Sequence, residues 1–249
     1  MFKLGLVSIS FRALAPEEII VKMKESGLKY VEWGSDVHAK PNDKKRLIEL
    51  RDMCEREGIG ISSYGSYFKL AENPISELPM YIDAAKTLGV DIIRIWCGNK
   101  NYTDMGENER RAFISLSREA AKIAENSGVT LCMECHNNTF TNCLEGALRL
   151  MEEVNSPAFQ MHWQPNQFLS HEENVLFAKK MAKYTRVIHA FHWIGTDKFP
   201  LSEGADRWRE YLGEFSGDEF LLLEFMPDGQ VKTLPREADS LKSIVSRMS

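Results

Sequence analysis

Leu131-Cys132-Met133-Glu134-Cys135-His136 is an apolar run that ends on a carboxylate and an imidazole. Two other stretches share that design, Val187-Ile188-His189-Ala190-Phe191-His192 and Leu221-Leu222-Leu223-Glu224. An apolar strand has no need of charge at its end, and ionisable groups beside a core are costly unless paired or metal-bound. Three strands that deliver Glu and His therefore point to one shared polar site. Strand ends that converge on one site are the layout of a parallel β/α barrel.

A repeat in the chain supports the same fold. Gly27, Gly58 and Gly89 stand 31 residues apart, and Gly128 follows. Each closes a helical pattern and precedes an apolar strand: 28–33, 59–64, 90–96 and 129–134. Glycine suits the left-handed helix C-cap, and a helix–Gly–strand unit of this length is a βα repeat. Runs at 3–9, 158–164, 186–192 and 219–225 complete eight predicted strands. Leu78, Ile82, Ala85 and Leu88 recur at helical spacing, as do Phe113, Leu116, Ala120 and Ile123. Ser170-His171-Glu172-Glu173 fits a capping box for the sixth helix. A doubly wound open sheet would carry a Gly-rich first turn, and Ser8-Ile9-Ser10-Phe11 has no glycine. The expected fold is an α/β, (β/α)8 barrel as a single domain over residues 1–249, with no linker or low-complexity segment.

Bulk properties narrow the function. The 249 residues suit one barrel, and 43% hydrophobic with 27% charged residues is ordinary globular composition. A net charge of -5 without a basic tract gives no footprint for nucleic acid or an anionic membrane. No apolar run reaches transmembrane length. Ala13-Leu14-Ala15 resembles a signal-peptidase site, but serines interrupt the preceding run and Arg12 adjoins it. Pro16-Glu17-Glu18 then reads as a helix start, so the segment is expected to be the first barrel strand. Five cysteines without framework spacing suggest a reducing compartment, and a cytoplasmic location is expected. Cys132-Met133-Glu134-Cys135 matches C-x-x-C, but it lies within a strand and has no second pair, so it reads as chance.

The strand ends carry the chemistry. Glu134 and Glu224 read as two metal-ligating carboxylates facing each other across the barrel; the alternative is a Glu paired with Lys or Arg. Either His189 or His192 could complete the site, and alternation turns only one of them inward. His136 shares a face with Glu134. Gln160, His162 and Gln164 share an inward polar face on strand six, opposite Phe159, Met161 and Trp163. Asp36, Asp104 and Asp197 read as solvated or capping loop residues. The mixture of polar and aromatic groups suits a hydroxyl-rich small molecule, with Glu32, Trp96, His136, Gln167 and His192 as candidate substrate contacts.

The chain resembles the xylose-isomerase-like sugar isomerase/epimerase superfamily, which includes ketose 3-epimerases, inosose dehydratases and hydroxypyruvate isomerases. The carriers are Val31-Glu32-Trp33, Glu134-Cys135-His136, His189, Leu201-Ser202-Glu203-Gly204 with Trp208, and Glu224. Each is weak alone; their order and spacing over essentially the whole chain make the match. The resemblance implies a divalent metal (Mn²⁺, Mg²⁺, Co²⁺ or Zn²⁺) held by Glu, Asp, His and Glu on strands five to eight. Glu134, His189 and Glu224 match the first, third and fourth ligands. Where the family has Asp-x-x-His, this chain has Gln164-Pro165-Asn166-Gln167, so Gln164 becomes the second ligand and the shell loses one negative charge. The implied activity is a metal-assisted isomerase or epimerase on a small ketose or polyol, with Glu134 and Glu224 as the proton-transferring pair. An inosose-type dehydratase and a non-catalytic carbohydrate-binding barrel stay open as alternatives. Neither a nucleic-acid nor a membrane partner is expected, and a homo-oligomer is compatible with the sequence.

Overall fold

The computed structural model describes residues 1–248. Eight parallel strands close into a barrel: β1 (Lys3–Val7), β2 (Tyr30–Gly34), β3 (Gly60–Lys69), β4 (Ile92–Trp96), β5 (Thr130–Glu134), β6 (Phe159–Trp163), β7 (Thr185–Ala190) and β10 (Phe220–Leu223), the last pairing with β1. Between β7 and β10 lies a two-stranded antiparallel hairpin, β8 (His192–Ile194) and β9 (Asp197–Phe199). Sequence periodicity does not show this hairpin, because three residues per strand carry no measurable alternation. The helices are α1 (Pro16–Glu25), α2 (Lys44–Glu57), α3 (Leu78–Leu88), α4 (Glu107–Ser127), α5 (Leu144–Val154), α6 (His171–Met181), α7 (Ala205–Leu212) and α8 (Leu234–Ser246).

The punctuation works as expected. Gly128 caps α4 at φ 68°, its N–H bonding back to Ala124 and Glu125, and this left-handed turn sends the chain into β5. Gly58 and Gly89 do the same before β3 and β4. Pro16 opens α1, and Ser170 caps α6 by accepting from the Glu173 N–H while the Glu173 carboxylate accepts from the Ser170 N–H.

Strand alternation sorts the side chains into two cores. Trp163 on the outer face of β6 packs against Trp208, Tyr211 and Phe215 of the helical layer, at ring separations of 6.3, 5.6 and 5.3 Å. Inside the barrel, Val7, Val187 and Leu222 form an apolar plug with Tyr30, Ile92 and Phe220 packed on it. The residues two places further along β2, β4, β7 and β10 are Glu32, Arg94, His189 and Glu224. In parallel strands that step moves each inward side chain one layer towards the C-terminal mouth. The plug is thus the floor under a charged layer.

Candidate active site at the barrel mouth

Register and alternation bring the sequence-selected groups together. His189 Nδ1 lies 3.3 Å from Glu224 Oε2, 3.3 Å from Gln164 Oε1 and 3.9 Å from Glu134 Oε1. Donor atoms of Glu134, His189 and Glu224 all lie within 4.8 Å of one another, and all three residues are buried. These four side chains arrive from β5, β7 and the segments that follow β6 and β10, so one imidazole nitrogen faces three oxygens.

Beneath them sits an ionic network. Arg94, 1% exposed, donates from Nη1 to Glu134 Oε2 at 2.5 Å and approaches Glu32 Oε1 with Nε at 3.1 Å. Glu32 Oε2 accepts the Ser63 hydroxyl at 2.7 Å, its neighbour in register across β2 and β3. Burial opposes ionisation of Glu32, but the Arg94 guanidinium and His189 outweigh it and hold the carboxyl well below the usual range. Burial alone would depress His189; the carboxylates of Glu224 and Glu32 outweigh it and push its pKa up to about 10. For His162, burial reinforced by the neighbouring His189 outweighs the Glu32 carboxylate, 3.8 Å from its Nδ1, and drives it far below the ordinary value, so it is neutral. Its ring stands edge-on to His189 at 3.9 Å.

Above this network lies a cavity of about 250 Å³ lined by Glu134, Gln164 and Glu224 together with Trp96, His136 and Gln167. Trp96 packs on His136 at 4.3 Å, and His136 Nδ1 donates to the Asn137 carbonyl at 2.7 Å, which leaves Nε2 as the free ring nitrogen. Gln167 anchors the extra hairpin, its carbonyl accepting the Gly195 N–H at 2.9 Å. The opposite wall is aromatic: Trp193 of the hairpin stacks on Phe225 at 5.7 Å.

Two of the expected substrate contacts fall elsewhere. Glu32 is fully buried below the cavity and does not line it, because β2 alternation aims it into the charged layer. His192 leaves the barrel with β8 and packs over Gly204 and Phe199, away from the cavity wall. Conversely, sequence reasoning gave no role to Arg94, although a lone arginine in Ile92-Ile93-Arg94-Ile95 is a signal of a paired buried charge. Phe225 carried no signal. Its φ of 54° is rare for a bulky residue, and its N–H donates to Ser10 Oγ at 2.9 Å. The C-x-x-C cysteines are both buried free thiols, with burial raising the pKa of each.

The donor set fits a divalent cation. A cation at His189 Nδ1 requires the neutral imidazole. With His189 neutral, Glu32, Glu134 and Glu224 carry three negative charges against the single positive charge of Arg94. The surplus is two negative charges in a buried layer, which a divalent ion neutralises.

A family described as the xylose isomerase-like TIM barrel matches residues 20–243, and the chain belongs to it. A 3-dehydroshikimate dehydratase of Bacillus anthracis is 22% identical over 169 residues, a match that covers 64% of this chain and 60% of that relative's length. The crystal structure of the probable 3-DHS dehydratase AsbF of Bacillus anthracis superposes with a TM-score of 0.81 at 19% identity, covering 97% of this chain and 99% of that one. The IolI protein with a bound zinc atom gives 0.80 at 17% identity, covering 100% and 99%. D-psicose 3-epimerase with D-tagatose, from Clostridium cellulolyticum H10, gives 0.75 at 15% identity over 100% of both chains. At these identities the likeness to the solved structures shows the shared fold. No helix among the described residues is long and apolar enough to cross a membrane.

Proposed function

We propose, from this family membership and from the two carboxylates at one cavity floor, that the chain enolises a small hydroxylated ketone and returns the proton, acting as an isomerase or epimerase. The observation that carries the reading is the approach of Glu134 and Glu224 to one imidazole nitrogen, at 3.9 and 3.3 Å, from strands with β6 and β7 between them. Glu134, Gln164, His189 and Glu224 would hold one divalent ion, Mn²⁺, Mg²⁺, Co²⁺ or Zn²⁺. When bound, such an ion supplies Lewis-acid polarisation of a carbonyl oxygen. Glu224 is the better base, since its Oε2 faces His189, which gives up its Nδ1 proton to a cation, and among the described residues no Lys or Arg pairs with it, whereas Arg94 holds Glu134. Its return of the proton to the adjacent carbon moves the carbonyl. Return by Glu134 from the far side inverts the carbon. Trp96, His136, Trp193 and Phe225 would enclose the apolar faces of the substrate, and Gln167 its hydroxyls.

A dehydratase reading is favoured by one contact. Arg94 Nη1 donates to Glu134 Oε2 at 2.5 Å, which ties up the oxygen that would have to carry and deliver the proton for inversion. A one-base route remains: Glu224 takes the proton, the β-hydroxyl departs, and the same proton returns to it, so that one water is lost. The name of the Bacillus anthracis relative agrees with this route.

Incubation in D₂O with Mn²⁺ or Co²⁺ and a panel of ketohexoses, ketopentoses, inososes and cyclic hydroxyketones tests both. Deuterium beside the carbonyl without water loss supports the isomerase or epimerase. A new conjugated double bond supports the dehydratase. Glu224→Gln should slow either by about 10²–10⁴-fold, with metal content measured in parallel. Binding of a sugar with neither exchange nor dehydration would refute the catalytic reading.

A further inference from the structure

Glu32 is the one carboxylate of the charged layer that the cavity does not reach, and its surroundings assign it a task. It is wholly buried, and three groups fix it: the Ser63 hydroxyl at 2.7 Å, Arg94 Nε at 3.1 Å and His189 Nε2 at 3.6 Å. The backbone also makes room for it. A Cβ on Gly65 would stand 2.6 Å from Glu32 Oε1 and 3.1 Å from Arg94 Nη2, so the position opposite Arg94 in register carries no side chain. His189 Nε2 is buried with no hydrogen-bond partner among the described residues, and Glu32 Oε1 is the carboxylate oxygen it faces.

We infer that Glu32 is a positioning residue: its carboxylate accepts a hydrogen bond from the Nε2–H of His189, so that the Nδ1 lone pair points at Glu134, Gln164 and Glu224. The inference rests on the reading of those four side chains as a cation site. A neutral imidazole has one N–H and one lone pair. With the proton on Nδ1, the lone pair would face the Glu32 carboxylate and the N–H would face the donor oxygens, closing the site to a cation. With the proton on Nε2, both ring nitrogens meet their complements. A movement of well under 1 Å turns the 3.6 Å approach into a hydrogen bond. His162, edge-on at 3.9 Å, prevents the ring from turning away. Arg94 couples the two levels, because the same guanidinium grips Glu32 behind His189 and Glu134 in front of it.

The test measures cation affinity, independent of any substrate. Mn²⁺ titration of the full chain by calorimetry should give binding about 10–100-fold weaker for Glu32→Gln than for the wild type, the usual loss when a carboxylate behind a ligating histidine is removed. A melting curve on the same sample establishes that the variant is folded. In the Zn²⁺-loaded wild type, ¹⁵N NMR of the histidine rings should place the His189 proton on Nε2. A folded Glu32→Gln that binds Mn²⁺ within twofold of the wild type, or a His189 proton on Nδ1, overturns the inference while leaving the cation site standing. If Glu32→Gln does not fold, Ser63→Ala takes its place: loosening the carboxylate should still weaken Mn²⁺ binding several-fold, and unchanged affinity overturns the inference. A wild type that binds neither ion refutes the cation site and the inference with it.

Discussion

At the scale of single residues, Gln164 is the departure with the clearest consequence. Its amide oxygen lies 3.3 Å from His189 Nδ1, where the family pattern has a carboxylate. On the proposed ligand set, the position keeps a donor atom but loses a charge. Gln164→Asp restores that charge to a shell of similar shape, and ligand charge is a main determinant of divalent affinity. Mn²⁺ binding should tighten by about tenfold, or about 1.4 kcal/mol, read by calorimetry at constant pH. Unchanged binding would remove residue 164 from the ligand group. Arg94 shows the limit of residue-level reading. Its own strand reports that it is buried, but not that its two partners are Glu32 and Glu134. Those lie 62 and 40 positions away in the chain and are brought beside it by strand pairing, Glu134 on the neighbouring β5 and Glu32 on β2 beyond β3.

At the scale of elements, local chemistry accounts for most boundaries. The predicted helix start at Ser170 becomes a reciprocal cap, with Ser170 Oγ accepting from the Glu173 N–H at 3.2 Å and the Ser170 N–H bonding the Glu173 carboxylate at 2.7 Å. Ser170→Ala removes one of these and leaves a helix N–H without its partner. It should cost about 1 kcal/mol, visible as a lower midpoint in urea with an unchanged slope, and with cation binding unaffected because α6 lies outside the site. The hairpin of β8 and β9 is the element that local chemistry does not announce. It is held by tertiary contacts: Gly195 on the Gln167 carbonyl, Lys198 over the Phe225 ring at 5.5 Å, and Trp193 on Phe225. His192 follows the hairpin, so the end of the seventh strand, drawn in the sequence at His192, falls at Ala190 instead.

At the scale of the whole molecule, the charged layer links stability to pH. His189 is raised from 6.5 to about 10 by Glu224 and Glu32 against the opposing effect of burial. A group whose folded pKa is raised contributes stability that is complete below its unfolded value and is lost as pH climbs towards the folded one. Metal-stripped protein should therefore lose stability between pH 6.5 and 8.5, before the thiols ionise, by up to about 1.4 kcal/mol per pH unit. At about 2–4 °C per kcal/mol for a chain of this size, the melting temperature should fall measurably across that window. A bound divalent ion competes with the Nδ1 proton, so Mn²⁺-loaded protein should lose this fall and bind the ion more tightly as pH rises. A flat profile for the metal-free chain would mean that His189 is not held protonated. These effects separate two kinds of information. Helix caps, alternation and apolar runs are local properties of the chain, and they were enough for the repeating βα unit, the parallel barrel, Glu134 and Glu224 at strand ends, and one of His189 and His192 between them, with the family resemblance favouring His189. Three features emerge on folding alone: Glu32 lies behind His189 rather than in the cavity, Arg94 joins Glu32 to Glu134, and Phe225 adopts a left-handed backbone beside Glu224. Each of these depends on the depth of a layer inside a closed barrel and on which strands face each other across it. No local pattern encodes that, since closure brings together residues that are distant in the chain.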